Sequence, residues 1–234
     1  MPRLVTYANI SQALETKGMI CRGGFHPTDA DLIPGDVETC ILVGNAGAQF
    51  WRSFSEQRPA GSDPVEAWTR RVLEQISADL GAEVLLPSVG PPFLPFLEWA
   101  KRSEPVTESP VGPLIHPVYG LWHAYRGMLL FREKIDLPEI PARTQDAQSL
   151  STCETCADQP CLRACPVKAV NGDTFDVAAC SGFISTAEGA DCLSTGCRAR
   201  RACPIGKDYI YEPAQALHHM QGFLDTFGRV QGPK

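Results

Sequence analysis

Cysteine placement constrains this chain more than any other feature. Eight of its ten cysteines fall between residues 153 and 203. They run Cys153-Glu154-Thr155-Cys156, then Cys161-Leu162-Arg163-Ala164-Cys165-Pro166. Cys180, Cys192, Cys197 and Cys203-Pro204 follow. A proline stands directly after the last cysteine of each group.

The first group reads C-x2-C-x4-C-x3-C-P. The cluster-ligating run of bacterial ferredoxins, C-x2-C-x2-C-x3-C-P, is two residues shorter in the middle. A cubane takes one soft thiolate per iron, so four cysteines must converge on it. A C-x2-C loop puts two sulfurs on one turn. The cysteine after x3 points away and is free to reach a second cluster, and the proline ends the loop without needing a backbone donor. On this logic Cys153, Cys156, Cys161 and Cys203 hold one [4Fe–4S] cluster. Cys165, Cys180, Cys192 and Cys197 hold the other. Structural zinc and a disulfide framework are the competing readings. The two Cys-Pro endings and the crossed layout favour iron–sulfur.

The 234 residues are enough for one large domain or two small ones, and 44% are apolar, so a sizeable core can be buried. The net charge of -6 leaves no basic surplus for nucleic acid, and none is expected as a partner. No run reaches signal or membrane-spanning length, so no membrane partner is expected and the protein is read as soluble and cytoplasmic. Cys21 and Cys40 read as buried or reduced thiols outside the cluster chemistry.

Along the chain, residues 6–17 suit a short helix. Glu38 to Gly44 reads as a buried strand leading into Asn45-Ala46-Gly47 and an aromatic-rich helix. This Gly-x-x-Gly turn either offers backbone N–H groups to an anion or only permits tight packing. Asp63-Pro64-Val65-Glu66 is a helix start, with Asp63 as cap and Glu66 closing a capping box. Val65, Trp68, Val72, Ile76 and Leu80 then share one face, before Gly81. Ala82 to Leu86 is expected as a strand, and Phe93 to Lys101 as a helix. In Pro113 to Phe131, Pro117 and Gly120 break an apolar run into two pieces, which suits a hairpin. Arg126 inside that run needs a carboxylate, a phosphate or a ligand, Glu98 and Asp136 being the acids considered. His116 and His123 are either core or catalytic histidines. The basic stretch Arg198-Ala199-Arg200-Arg201 is either a solvated patch or a docking site for an acidic electron donor. A final helix from Pro213 is expected to bury Leu217, Met220, Leu224 and Phe227, with His218 and His219 solvated and the last seven residues disordered.

The run Ile115-His116-Pro-Val-Tyr-Gly-Leu-Trp122-His-Ala-Tyr-Arg126-Gly-Met-Leu-Leu, followed by Asp136-Leu-Pro, resembles a segment of the CblC-type cobalamin-processing proteins. The Asp63-Pro64-Val65 helix start falls in a matching place. The resemblance implies an α+β, flavin-reductase- or nitroreductase-like fold for the N-terminal domain, with a cavity for cobalamin or a flavin. It implies Trp122 and Tyr119 as cavity residues and Arg126 as the arginine at the upper-face site, with His116 as a second catalytic candidate. The cysteine half resembles the C-terminal ferredoxin module of epoxyqueuosine reductases and reductive dehalogenases, and Cys180-Ser-Gly-Phe-Ile-Ser-Thr-Ala-Glu188 is similar to an element of the former.

The resulting expectation is a CblC-like domain over 1–145, joined by a linker over 138–150 to a ferredoxin-like dicluster domain over 146–234. The function expected is an oxidoreductase in which two [4Fe–4S] clusters serve reductive upper-ligand removal from cobalamin, a corrinoid small molecule. The alternatives are a cobalamin- or flavin-dependent reductase of another organic substrate, and a non-enzymatic electron-transfer protein. A flavodoxin- or ferredoxin-type electron donor is the expected protein partner.

Overall fold

A computed structural model of the chain describes residues 5–88, 90, 93–139, 152–172 and 174–228. The linker expected over 138–150 lies outside them from residue 140, as does nearly all of the C-terminal tail. The chain divides into two compact units. One is Met1–Pro105 with His123–Ala147; the other is Val106–Trp122 with Gln148–Lys234. Residues 106–122, read from sequence as part of the first domain, thus group with the cysteine half.

The first unit is built on a four-stranded antiparallel sheet in the order β1-β2-β4-β3. Its strands are β1 (Ile20–Phe25), β2 (Thr39–Ala46), β3 (Glu83–Leu85) and β4 (His123–Phe131). The apolar, β-branched stretch of β2 lies between β1 and β4, and Cys40 to Val43 are fully buried. Four helices accompany the sheet: α1 (Tyr7–Glu15), α2 (Gln49–Glu56), α3 (Pro64–Leu80) and α4 (Phe96–Ser103). Thr6 caps α1 by accepting the Asn9 N–H at 3.2 Å. The core gathers Ile10 and Leu14 of α1, Phe50, Trp51 and Phe54 of α2, and the Val65-Trp68-Val72-Ile76 stripe of α3. Trp68 stands edge-on to both Phe50 and Phe54, at 5.4 and 5.9 Å.

Three local expectations change. Helix α3 has Pro64 in its first turn and Gly81 in the left-handed conformation at its end, but Asp63 makes no side-chain cap. No capping box forms, and Glu66 instead faces Arg126. Gly44, Asn45 and Ala46 belong to β2, so no Gly-x-x-Gly nest is available to an anion. The hairpin expected over 113–131 does not join the sheet as two strands. Its second half is β4, while its first half makes only the single bridges Thr107–Ile115 and His116–Gly120.

The second unit has no sheet among its described residues. Its helices are short: α5 (Pro160–Ala164), α6 (Val177–Ile184), α7 (Ala190–Thr195), α8 (Arg198–Ala202) and the longer α9 (Pro213–Phe227). Gly120 lies in the left-handed region, at φ +58°, and a Cβ there would sit 2.2 Å from the Ile205 carbonyl oxygen. A glycine is what lets residues 119–120 cross residues 205–206 backbone against backbone. Helix α9 buries Gln215 and Ala216 rather than the expected Leu217 and Phe227, which are 42% and 37% exposed. A small residue wins that face because α9 packs on α7, and a Cβ on Gly196, at the end of α7, would already lie 3.6 Å from Ala216.

Candidate metal centre

The turn after Thr152 carries Cys153 and Cys156, joined by a Cys156 N–H to Cys153 carbonyl bond of 3.2 Å. Gln159, in the left-handed region at φ +36°, then turns the chain into α5, which carries Cys161. Cys203 comes in from the far end of α8. These four cysteines border one cavity of about 230 Å³, closed partly by Ile115, Pro160 and Ile205. Burial pushes the Cys153 thiol up to about 11, and the neighbouring Cys203, Cys161 and Cys156 add to it. Cys161 is raised for the same first reason, burial, and then by Cys203.

Cys165 ends α5 and accepts the Ala169 N–H on its sulfur at 3.3 Å. Cys180 lies in α6, Cys192 in α7, and Cys197 directly before α8. Burial pushes Cys180 up to about 12, followed by the charges of Cys197, Cys165 and Cys192. Cys197 is also raised, first by burial, with the charges of Cys192 and Cys165 adding to it. The eight cysteines therefore lie as two quartets, 153/156/161/203 and 165/180/192/197. None is disulfide-bonded.

The donors fit cubane clusters better than bare ions. A zinc ion would draw four sulfurs to about 2.3 Å of one point. Among the described residues no three His, Cys, Asp or Glu groups are placed to hold a single ion. The first quartet surrounds a volume instead. The second unit also keeps buried polar atoms without hydrogen-bond partners among the described residues. They are both amide atoms of the fully buried Gln215, on the helix packed against α6 and α7, and Thr107 Oγ1 and Trp122 Nε1. Such groups ordinarily find a partner.

The arginines of the basic stretch are half-buried and have partners within the second unit. Arg198 Nε and Arg201 Nη2 both donate to Asp191 Oδ2, at 2.8 and 2.5 Å. Arg200 donates Nε to the Leu121 carbonyl at 2.9 Å and lies over the rings of Trp122 and Tyr211.

The architecture is epoxyqueuosine-reductase-like. The chain is similar to an epoxyqueuosine reductase crystallised with an epoxyqueuosine-modified tRNA-Tyr stem loop, at TM-score 0.51 and 12% identity, over 90% of this chain and 68% of that one. It is also similar to the epoxyqueuosine reductase of Streptococcus thermophilus, at TM-score 0.51 and 16% identity, over 94% of this chain and 75% of that one. A selenomethionine-labelled epoxyqueuosine reductase matches at TM-score 0.50 and 12% identity, over 90% and 68% of the two chains. No family model matches the chain, and no curated protein matches it by sequence.

The remaining candidates separate. His116, Tyr119 and Trp122 belong to the second unit and Arg126 to the first. His116 stacks on Tyr119 at 4.3 Å, and its Nδ1 accepts the Val118 and Tyr119 N–H groups at 3.1 and 3.2 Å. Trp122 is buried against Tyr211, ring centroids 5.3 Å apart. Arg126 is buried over Phe50, donates Nε to Asn45 Oδ1 at 2.8 Å, and stands 3.6 Å from Glu66, whose side chain is 51% exposed. Neither Glu98 nor Asp136 is its acid. The reason is a β-bulge: Tyr125 pairs with Gly44 and Gly127 with Val43, leaving Arg126 as the extra residue.

A second buried arginine escaped the sequence reading. Arg22, fully buried, makes a two-pronged pair with Glu104, both contacts 2.7 Å. His123 Nδ1 lies 3.2 Å from it, and Tyr125 Oη donates to Glu104 at 2.9 Å. Burial raises the Tyr125 hydroxyl. Arg22 also stands at a break in register, between Cys21 and Gly24 of β1. Its neighbour Gly23, at φ +68°, brings the strand so close to α4 that a Cβ would lie 2.1 Å from the Ser103 carbonyl oxygen. Only the charge of Arg22 within an apolar strand hinted at this. Cys21 and Cys40, both raised to about 12 first by burial, belong to the first unit.

Proposed function

We propose that the chain is an iron–sulfur oxidoreductase whose second unit holds two [4Fe–4S] clusters. Cys153, Cys156, Cys161 and Cys203 ligate the first, and Cys165, Cys180, Cys192 and Cys197 the second. The observation that carries this is the sorting of eight cysteines into two quartets, one of them around a cavity. The fold shared with epoxyqueuosine reductases supports it. When bound, the clusters supply one-electron transfer. The protein's own part is to hold them and to limit water at the sulfurs. Ile115 and Ile205 do so at the first quartet, and the Ala169 N–H meets the Cys165 sulfur of the second. Anaerobic reconstitution tests the reading: about eight irons and eight sulfides per chain, with a visible absorption bleached by dithionite, are expected on the two-cubane assignment. A colourless protein with stoichiometric zinc ends it.

The finer proposal gives the first unit a corrinoid or flavin ligand, on the resemblance of residues 115–130 to cobalamin-processing proteins. Arg126 is its candidate fork for an acidic group on the ligand. Titration of the reconstituted protein with cobalamin and with flavins decides it, a spectral change on one of them being required. Nucleic acid is not proposed as a partner, because the net charge is -6. A labelled tRNA stem loop should leave fluorescence anisotropy unchanged at physiological salt, and saturable binding would reverse that statement. Among the described residues no helix is long and apolar enough to cross a membrane.

A further inference from the structure

Helix α8 carries Arg198, Arg200 and Arg201, and the three are not equivalent. Arg198 and Arg201 share the carboxylate of Asp191. Among the described residues no carboxylate pairs with Arg200. A carbonyl and two ring faces hold it instead: Leu121 O, Trp122 at 4.3 Å and Tyr211 at 4.7 Å. These contacts orient a guanidinium but do not neutralise it, and a partly buried charge without a counter-charge is costly.

The backbone of the same residue shows where the opposite charge lies. Arg200 stands three residues after Cys197, which directly precedes α8 and belongs to the second quartet. Its carbonyl accepts the N–H of Cys203, in the first quartet, at 3.3 Å. One helix turn therefore joins the last cysteine of one set to the last cysteine of the other. Thiolate quartets carry negative charge, and reduction of a cluster by one electron adds more. A fixed cation nearby favours the reduced form.

We propose that Arg200 is the counter-cation of the cluster pair and raises the midpoint potential of at least one cluster; this rests on the iron–sulfur reading above. Arg200 is a positioning residue, with Leu121, Trp122 and Tyr211 as its clamp. Arg198 and Arg201 contribute less, because Asp191 offsets them.

The test uses the full chain, reconstituted anaerobically, with iron analysis and a redox titration followed by electron paramagnetic resonance. Arg200→Gln is expected to keep its iron and to lower a midpoint potential. At a fixed ambient potential the ratio of reduced to oxidised cluster should fall on the order of tenfold. Arg200→Lys, which keeps the charge, should stay closer to the parent. Unchanged potentials in Arg200→Gln overturn the proposal. So do equal shifts in the Gln and Lys variants, which would trace the effect to packing rather than charge. If Arg200→Gln loses iron, Arg200→Met carries the same comparison with a neutral side chain of similar stem. A parent chain that takes up no iron and sulfide overturns the cluster reading first, and this proposal with it.

Discussion

The two units are stabilised by different means. Among the described residues the first buries a continuous core of seventeen that joins sheet and helices and includes Trp68, Phe50 and Phe54. The second has buried clusters of three, Ile115-Leu121-Cys203 and Trp122-Tyr211-Ala216, among helices mostly five to eight residues long. Helices that short are not stable on their own. Of the second unit's eight cysteines, Cys192 and Cys203 are buried and the other six are half-buried. On the iron–sulfur reading proposed above, the difference teaches that a small, loop-rich module delegates its core to ligation, because binding free energy then becomes folding free energy.

The largest effect should follow from removing the metal. Cys153→Ser, or chelation of the reconstituted protein, is expected to unfold much of the second unit while the sheet of the first persists. Hydrogen exchange read unit by unit checks this; protection lost equally in both would erase the distinction. The converse probe is Trp68→Ala, which should cost about 3–5 kcal/mol by emptying the core of the first unit. Iron content should stay at the parent level, and a parallel loss of iron would show that the two units share one folding transition.

Next comes the buried pair in the first unit. Glu104→Ala takes the two-pronged carboxylate from the fully buried Arg22, and should destabilise by about 3 kcal/mol in chemical denaturation. Replacing both residues by apolar ones should recover part of that loss, and no recovery would assign the pair a role beyond packing. Arg126→Ala is expected to cost about 1–3 kcal/mol with both clusters intact, the partner Glu66 being half-exposed. A full loss of ligand response with unchanged stability would instead favour the ligand-fork role.

The smallest effect concerns pH. Burial raises the Asp31 carboxyl, but hydrogen bonds from Arg102 and Thr28 outweigh this and hold it below the ordinary carboxylate range. A depressed folded value means stability that is present above that range and lost as pH falls through it. Asp31→Asn should flatten the acid side of the first unit's stability curve by a small amount, since the site is near the surface. A flat parent curve below the carboxylate range would remove this contribution.

Much of this was legible in the residues. The α3 stripe followed from helical spacing, and Cys40 to Val43 read as a buried strand because they are apolar and β-branched. Cysteine spacing marked residues 153–203 as the metal-binding candidate, since a C-x2-C turn places two sulfurs side by side. Local rules of this kind act over a few residues, so sequence carries them. What it could not carry were choices made by distant chain. Glu66 left its expected capping role for Arg126, sixty residues away in sequence. Two bulges in the sheet re-aimed Arg22 and Arg126 into the interior, toward partners that no local pattern names. Asp191 took two of three arginines that read as one basic patch, and left the third to Leu121, Trp122 and Tyr211. Residues 106–122 joined the cysteine half, because Gly120 and Gly206 let two backbones meet where any side chain would collide. Those outcomes depend on burial and on competition among partners for each charge, and only the tertiary structure decides them.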